Sequence, residues 1–270
     1  WIAGSTNRNV KYQIIREGEL IYPTFYLAQK RVDVLYFFLA FIGLTTLVIG
    51  LIVFLNSKKL FSLPYVFFYF ISLAFYSFNI FSPTGIMDTL DNLFYWLDSA
   101  AFLVFPPLFL HFFVIFPQRK KFFKSKPSSI YFLYLPGTAL LLVKIILYLP
   151  LFRNASDSLV LRLHDTSGKL DLLHFALFSI LTLVTILHSM IQPSNLLIKK
   201  QLKWIVYGLG LGIIPFTFFY IIPFLFDRIP SRAAELTVLL QALIPLTFSY
   251  SISRHKLMDF ELLLKKAMTL

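Results

Sequence analysis

Seven long apolar segments, separated by short polar loops, constrain the fold of this 270-residue chain more than any other feature of its sequence. A helix that crosses the hydrocarbon core of a bilayer needs about 20 predominantly apolar residues. Only 14% of the residues are charged, whereas soluble domains carry about 25%, so a water-soluble core could not cover this much apolar surface. The sequence therefore predicts an all-α membrane protein with a seven-helix transmembrane bundle. The predicted spans are residues 34–55, 60–82, 92–116, 129–150, 171–191, 204–226 and 233–253.

Prolines inside these spans predict kinks, because each proline removes a backbone donor from its helix. The prolines concerned are Pro64, Pro106, Pro107, Pro215 and Pro223.

The distribution of cations between the loops predicts the orientation of the bundle. The loops after spans one, three and five carry ten Lys and Arg residues, whereas the loops after spans two, four and six carry five. The positive-inside rule therefore places the N-terminus outside and the C-terminus in the cytoplasm. The formal net charge of +12 is explained by cytoplasmic loops that lie beside anionic lipid, so nucleic acid is not expected as a partner.

Ionisable and amide side chains within the predicted spans are the candidate functional residues, because burying them in a bilayer is costly. An ion pair between Asp98 and Lys144 would offset this cost. Alternatively, both side chains extend toward the outer headgroups. Four polar residues between the outer third and mid-depth are predicted to line one ligand-binding cavity: Asp98, Lys144, His174 and Gln241.

His111 lies in the apolar run "LHFFVIFPQRKK", residues 110–121, which ends on a proline and a group of cations. This pattern predicts the end of a span at the cytoplasmic face. We expect His111 to contact a neighbouring helix, and its replacement by alanine to leave membrane insertion intact.

Motifs for catalysis and for metal or phosphate binding are missing from the sequence. It contains no cysteine, no H-E-x-x-H, no phosphate-binding glycine loop and no G-x-S-x-G elbow. The glycines of "GLGLG", residues 208–212, lie within a predicted span and indicate close helix packing. We therefore expect no catalytic residue, no metal and no cofactor in this segment.

The N-terminal residues 9–28 alternate between polar and apolar side chains around "REGE", which predicts a β-hairpin. At the other end of the chain, Leu257, Phe260, Leu263 and Leu264 form an amphipathic stripe. This stripe fits either a dimeric coiled coil or a helix that lies in the headgroups.

Four stretches of the chain are similar to parts of known proteins. Three of them are "FPPLFLHFFVIFP" (105–117), "KKQLKWIVYGLGLGIIPF" (199–216) and "ALIPLTFSYSISRHKLMDFELLLKKA" (242–267). These three resemble the membrane input region of bacterial sensor histidine kinases that have several spans. The fourth, "YQIIREGELI" (12–21), resembles the closing strands of a PDZ-like extracytoplasmic domain.

This resemblance implies three parts of the chain. Residues 1–31 would be the tail of the PDZ-like domain, residues 32–253 the sensor bundle, and residues 254–270 a cytoplasmic signalling helix that leads to an output domain. The positions that match the family's exit motif R-x-x-L-x-D, together with His111, would transmit the signal: Arg254, Leu257 and Asp259.

The function implied by the resemblance is that of a receptor in the bacterial inner membrane. It would act as a homodimer, bind a hydrophobic or peptide ligand, and reach a response regulator through its output domain. The alternatives are a transporter or channel, and the same input module joined to a phosphatase or cyclase.

Overall fold

The computed structural model describes residues 9–11, 13–16, 19–26, 34–55, 63–81, 89–116, 125–148, 158–191 and 196–255. The chain divides into two compact units, Trp1–Leu35 and Tyr36–Leu270, which are described separately.

The first unit contains an antiparallel hairpin. Strand β2 pairs with β3 so that Arg16 lies opposite Glu19, and β1 pairs with β4 so that Asn9 lies opposite Tyr26. Both ladders follow the same register, so the four short strands are the two arms of one hairpin, in the place where the alternating pattern predicted it. The strands are β1 (Asn9–Lys11), β2 (Ile14–Arg16), β3 (Glu19–Ile21) and β4 (Thr24–Tyr26).

The second unit is helical, and each of the seven predicted apolar segments overlaps a helix among the described residues. The α-helices are α1 (Val34–Leu55), α2 (Leu63–Ile80), α3 (Thr89–Ile115), α4 (Leu135–Tyr148), α5 (Ser158–Ile191), α6 (Leu196–Phe216), α7 (Ile222–Leu225), α8 (Arg232–Leu236) and α9 (Leu243–His255). Two 3₁₀ segments, Pro127–Leu133 and Thr237–Ala242, precede α4 and α9, and a π-helical turn, Thr217–Ile221, follows α6.

Four helical stretches among the described residues are long and apolar enough to cross a membrane, which is consistent with a membrane protein. Two further helices are apolar but shorter, Tyr65–Ile80 and Leu135–Tyr148. The all-α class is therefore as predicted, while the arrangement with seven spans stays a prediction. The four stretches are Leu35–Leu55, Thr89–Ile115, Arg162–Ile191 and Leu202–Leu225.

Helix α3 lies at the centre of the second unit, where it packs against α2, α4 and α5, while α9 packs against α6. Phenylalanine rings fill the space between these helices. Phe248 of α9 lies 5.6 Å from Phe68 of α2 and 5.8 Å from Phe109 of α3, measured between ring centroids. The core of the unit is thus largely aromatic.

The prolines act differently from one helix to the next. Pro64 is the second residue of α2, in the first turn, where a proline removes no intrahelical hydrogen bond, so the kink predicted there stays a prediction. Pro106 and Pro107 lie inside α3, whose helical residues continue on both sides. Pro215 and Pro223 flank the π-helical turn Thr217–Ile221. The regular α-helical hydrogen bonding of span six is therefore interrupted between its two prolines.

The glycines of "GLGLG" also differ in role. A Cβ atom at Gly208 would approach the carbonyl oxygen of Leu243 to 2.8 Å, and one at Gly212 would approach that of Leu240 to 3.1 Å. Both glycines therefore allow the 3₁₀ segment Thr237–Ala242 and the start of α9 to pack closely on α6. A Cβ at Gly210 would meet only the Cδ1 atom of Ile214, at 3.9 Å, so this glycine faces open space.

Candidate functional site

A row of polar side chains on α5 forms the base of the candidate site. Ser167, Asp171 and His174 follow each other at i, i+4 and i+7, a spacing that places them on one face of a helix. Each is about 95% buried, with exposed fractions of 4%, 5% and 5%. Buried ionisable groups within an apolar helix are costly, so they mark candidate functional positions.

Lys144 of α4 forms a salt bridge with this row. Its Nζ atom lies 2.5 Å from Oδ2 of Asp171, and the side chains are only 15% and 8% exposed. The sequence analysis paired Lys144 with Asp98 instead. Asp171 was overlooked because it was the first residue of predicted span five, whereas α5 begins 13 residues earlier, at Ser158. Asp171 therefore lies well inside the helix rather than at its end.

Asp98 of α3 completes the group from the third helix. Its side chain is half-buried. The carboxylate is attracted by the ammonium group of Lys144 and repelled by the carboxylate of Asp171. One lysine thus interacts with two carboxylates, and the three groups together carry a charge of −1 when all are ionised. We call these residues the polar cluster: Asp98, Lys144, Ser167, Asp171 and His174.

Several polar atoms of the polar cluster have unused hydrogen-bonding capacity. Among the described residues, Oγ of Ser167, Oδ1 of Asp171 and both ring nitrogens of His174 are buried without a hydrogen-bond partner. Such groups are costly in an apolar interior, and they could bind a small polar group or exchange a proton. In the part of the chain that the structure describes, no group of three His, Asp or Glu side chains could hold a metal ion.

The His174 ring is positioned by small and aromatic neighbours. It lies 4.6 Å from the ring of Phe178, and its Nε2 atom would be 3.4 Å from a Cβ placed on Gly137. The same Cβ would lie 2.9 Å from the carbonyl oxygen of Leu103. Gly137 therefore lets α3, α4 and the histidine of α5 meet at one level of the bundle.

The same three-helix region continues toward the C-terminal end of α4. The Tyr148 hydroxyl donates a hydrogen bond to Oδ1 of Asn92, and its ring packs at 5.2 Å against Trp96 and at 6.0 Å against Tyr95. This contact fixes the end of α4 against the first turns of α3, next to the level of Lys144.

His111 makes the kind of contact that the sequence predicted. Its Nδ1 atom lies 2.8 Å from the hydroxyl oxygen of Tyr134, and its ring packs 4.2 Å from that of Phe67. The histidine thus connects α3 with α2 and with the residue that precedes α4.

The remaining predicted site residues lie elsewhere. Gln241 is buried, but its backbone packs against Gly212 of α6, so the described contacts do not bring it into the polar cluster. Arg254 lies in the last turn of α9, with its side chain outside the described residues. Leu257 and Asp259 are also outside the described residues.

Sequence reasoning missed Ser167 and Asp171 of the polar cluster. The signal that could have identified them is their spacing of seven and three residues before His174, which puts all three on one helical face. No protein family model and no curated protein matches the chain. The polar cluster and the sequence motifs are therefore the basis for its functional assignment.

Proposed function

We propose that this chain is the membrane-embedded input module of a signalling receptor, of the type found in bacterial multi-span sensor histidine kinases. The observation that carries the proposal is the polar cluster, in which a buried Lys144–Asp171 salt bridge and Asp98 connect three helices. A ligand that changes the charge balance in such a cluster changes how the helices pack. This is a local event that a receptor can transmit.

The proposed arrangement is a homodimer of seven-span chains in the bacterial inner membrane, with the N-terminus outside. The 14 residues of α4 have a length of about 21 Å, which is shorter than a hydrocarbon core of about 30 Å. The seven residues of the preceding 3₁₀ segment, Pro127–Leu133, would add about 14 Å. The two together would be long enough for a span.

A continuous row of phenylalanine rings supports transmission from the polar cluster to α9. Phe175, which follows His174, stacks on Phe102 at 5.2 Å and lies 6.3 Å from Phe105. Phe105 stacks on Phe109 at 5.4 Å, and Phe109 lies 5.8 Å from Phe248 of α9. Tightly packed rings do not deform continuously, so a shift of α5 would displace α9 and the segment that follows it.

The chemistry of the polar cluster suggests the class of ligand. With two carboxylates and one ammonium group, it favours a partner that donates hydrogen bonds or carries positive charge. The apolar helix faces around it favour a hydrophobic body. A hydrophobic peptide combines both properties.

A proton-coupled transporter is the second candidate function. It is favoured by the buried ion pair beside His174 and by the π-helical turn between Pro215 and Pro223, because transporters place ionisable residues and interrupted helices around their substrate sites. Such a protein would move protons across a sealed vesicle without any output domain.

The test is autophosphorylation of the full-length protein in membrane vesicles. We expect Lys144→Met to change the rate per folded molecule by about tenfold, a change of about 1.4 kcal/mol in the balance between signalling states. The matched control is Lys126→Met, which removes an exposed lysine outside the polar cluster.

The coding sequence that follows Leu270 provides a second test. An ATP-binding domain and a phosphoacceptor helix there would support the receptor, whereas proton flux and no output domain would support the transporter.

A further inference from the structure

An apolar groove of about 400 Å³ lies between α5 and α6, away from the polar cluster. Leu183 and Leu187 form one wall, and residues of α6 from Val206 to Pro215 form the other. The wall residues are substantially exposed: Leu187 is 41%, Leu211 58% and Ile214 44% exposed. If α6 crosses the membrane, as its length and composition allow, this groove opens toward lipid.

Gly210 forms the floor of the groove. A Cβ atom there would meet only Cδ1 of Ile214, at 3.9 Å, whereas a Cβ atom on Gly208 would collide with Thr247 and one on Gly212 would come within 3.1 Å of the carbonyl oxygen of Leu240. Gly210 therefore serves no helix contact in the described part of the chain. Its effect is to deepen the groove by the volume of a side chain.

Lysines lie at one end of the groove. Lys199, Lys203 and Tyr207 precede Gly210 on the same face of α6, at intervals of three or four residues. The Nζ atom of Lys203 lies over the ring of Tyr207, 5.7 Å from its centroid, so the ammonium group lies next to a residue that lines the groove. Trp204, 39% exposed, lies beside it, as is typical of residues at the membrane interface.

We propose that this groove binds an anionic phospholipid, with its phosphate against Lys203 and Lys199 and one acyl chain along Gly210. The wall from Val206 to Pro215 is about 13 Å long, close to the hydrocarbon thickness of one leaflet, about 15 Å. A chain in the groove would therefore extend from the interface toward mid-membrane. The site requires α6 to cross the membrane, but it is independent of the proposed signalling function.

The competing occupant is a helix from a second copy of the chain, because glycines also mark helix interfaces. The arrangement of charge favours the lipid. A second copy would place another lysine-rich end of α6 against the first in a parallel dimer, whereas the negative phosphodiester of a lipid offsets part of the positive charge of Lys203 and Lys199.

The test is native mass spectrometry of the full-length protein in mild detergent, titrated with phosphatidylglycerol or with phosphatidylcholine of the same acyl chains. We expect phosphatidylglycerol to bind with a Kd about fivefold lower. Lys203→Gln should reduce this preference, since Lys199 remains, and leave the affinity for phosphatidylcholine unchanged. Gly210→Leu, which fills the groove, should weaken both lipids about tenfold.

Two control variants match these changes. Ala139→Leu adds a larger side chain at an exposed position of α4 outside the groove, and Lys126→Gln removes an exposed lysine elsewhere. Both should bind lipid as the wild type does. Equal affinity for the two lipids, or unchanged binding by Gly210→Leu, would overturn the proposal. Loss of a dimer by Gly210→Leu with unchanged lipid affinity would assign the groove to a second copy. If Gly210→Leu fails to fold, the Lys203→Gln result decides.

Discussion

At the scale of single residues, the Lys144–Asp171 salt bridge is where a substitution should matter most, because both side chains are shielded from solvent. Lys144→Met leaves Asp171 buried without its partner, which we expect to destabilise the protein by about 3–5 kcal/mol. The double variant Lys144→Met with Asp171→Leu should recover most of this loss, since it removes both charges. Thermal unfolding in detergent, followed by tryptophan fluorescence, measures both.

The control for this prediction is Lys169→Met. Lys169 also forms salt bridges, to Asp165 at 2.9 Å and to Asp227, but both of those carboxylates are largely exposed. Water and salt screen exposed pairs, so Lys169→Met should cost clearly less stability than Lys144→Met. Equal losses for the two variants would contradict the importance of burial.

The contact between His111 and Tyr134 gives a second prediction at the residue scale. The His111 Nδ1–Tyr134 hydroxyl hydrogen bond is 2.8 Å long, so Tyr134→Phe should destabilise the protein by about 1 kcal/mol. His111→Ala should cost more, because it also removes the ring that packs against Phe67. Combined, they should cost less than the sum, because each removes the same bond. Thermal unfolding of the two single variants and the double variant provides the cycle, and strict additivity would show that the bond contributes nothing.

At the scale of elements, two glycines of α6 that are two residues apart have different surroundings. Gly208 packs against α9, whereas Gly210 has open space beside it. Gly208→Ala forces a Cβ against Thr247 and the carbonyl oxygen of Leu243, so we expect a loss of about 1–3 kcal/mol from overpacking. Gly210→Ala meets no such obstacle and replaces a poor helix former, so it should gain about 0.5–1 kcal/mol. Each variant adds one methyl group to the wild-type protein. Thermal unfolding should show a lower unfolding temperature for Gly208→Ala and a higher one for Gly210→Ala.

The elements also show which features the sequence could predict. Apolar length located the helical segments, and alternation located the hairpin of β1 to β4, because both patterns are local. The partner of Lys144 was not local. It depends on how far α5 extends before Asp171 and on the rotation of α4 about its axis, and neither is encoded in the residues around Lys144. The contacts of the glycines in "GLGLG" also depend on how α6 is rotated against its neighbours. The motif therefore indicated close helix packing, but it did not show that Gly210 would make no helix contact among the described residues.

At the scale of the whole molecule, the number of spans decides on which side of the membrane each loop lies. If seven segments cross, residue 128 lies in the cytoplasm and residue 231 outside. If only the four longest helical stretches cross, residues 128 and 231 lie on the same side, because α2 and α4 no longer reverse the chain. Residue 200, which lies in the first turns of α6 before the apolar stretch Leu202–Leu225, stays in the cytoplasm in both arrangements if the N-terminus is outside, as proposed.

The absence of cysteine from the sequence makes this difference directly measurable. Ser128, Lys200 and Ser231 are exposed, so each can be replaced singly by cysteine with little effect on packing. With seven spans, a membrane-impermeant maleimide added to intact spheroplasts should label Ser231→Cys at once, but Ser128→Cys and Lys200→Cys only after lysis. Labelling of both Ser128→Cys and Ser231→Cys in intact cells would instead support four spans, because α2 and α4 are the two segments before residue 231 that cross in one arrangement and not in the other. The cytoplasmic signal of Lys200→Cys confirms in either case that the cells are sealed.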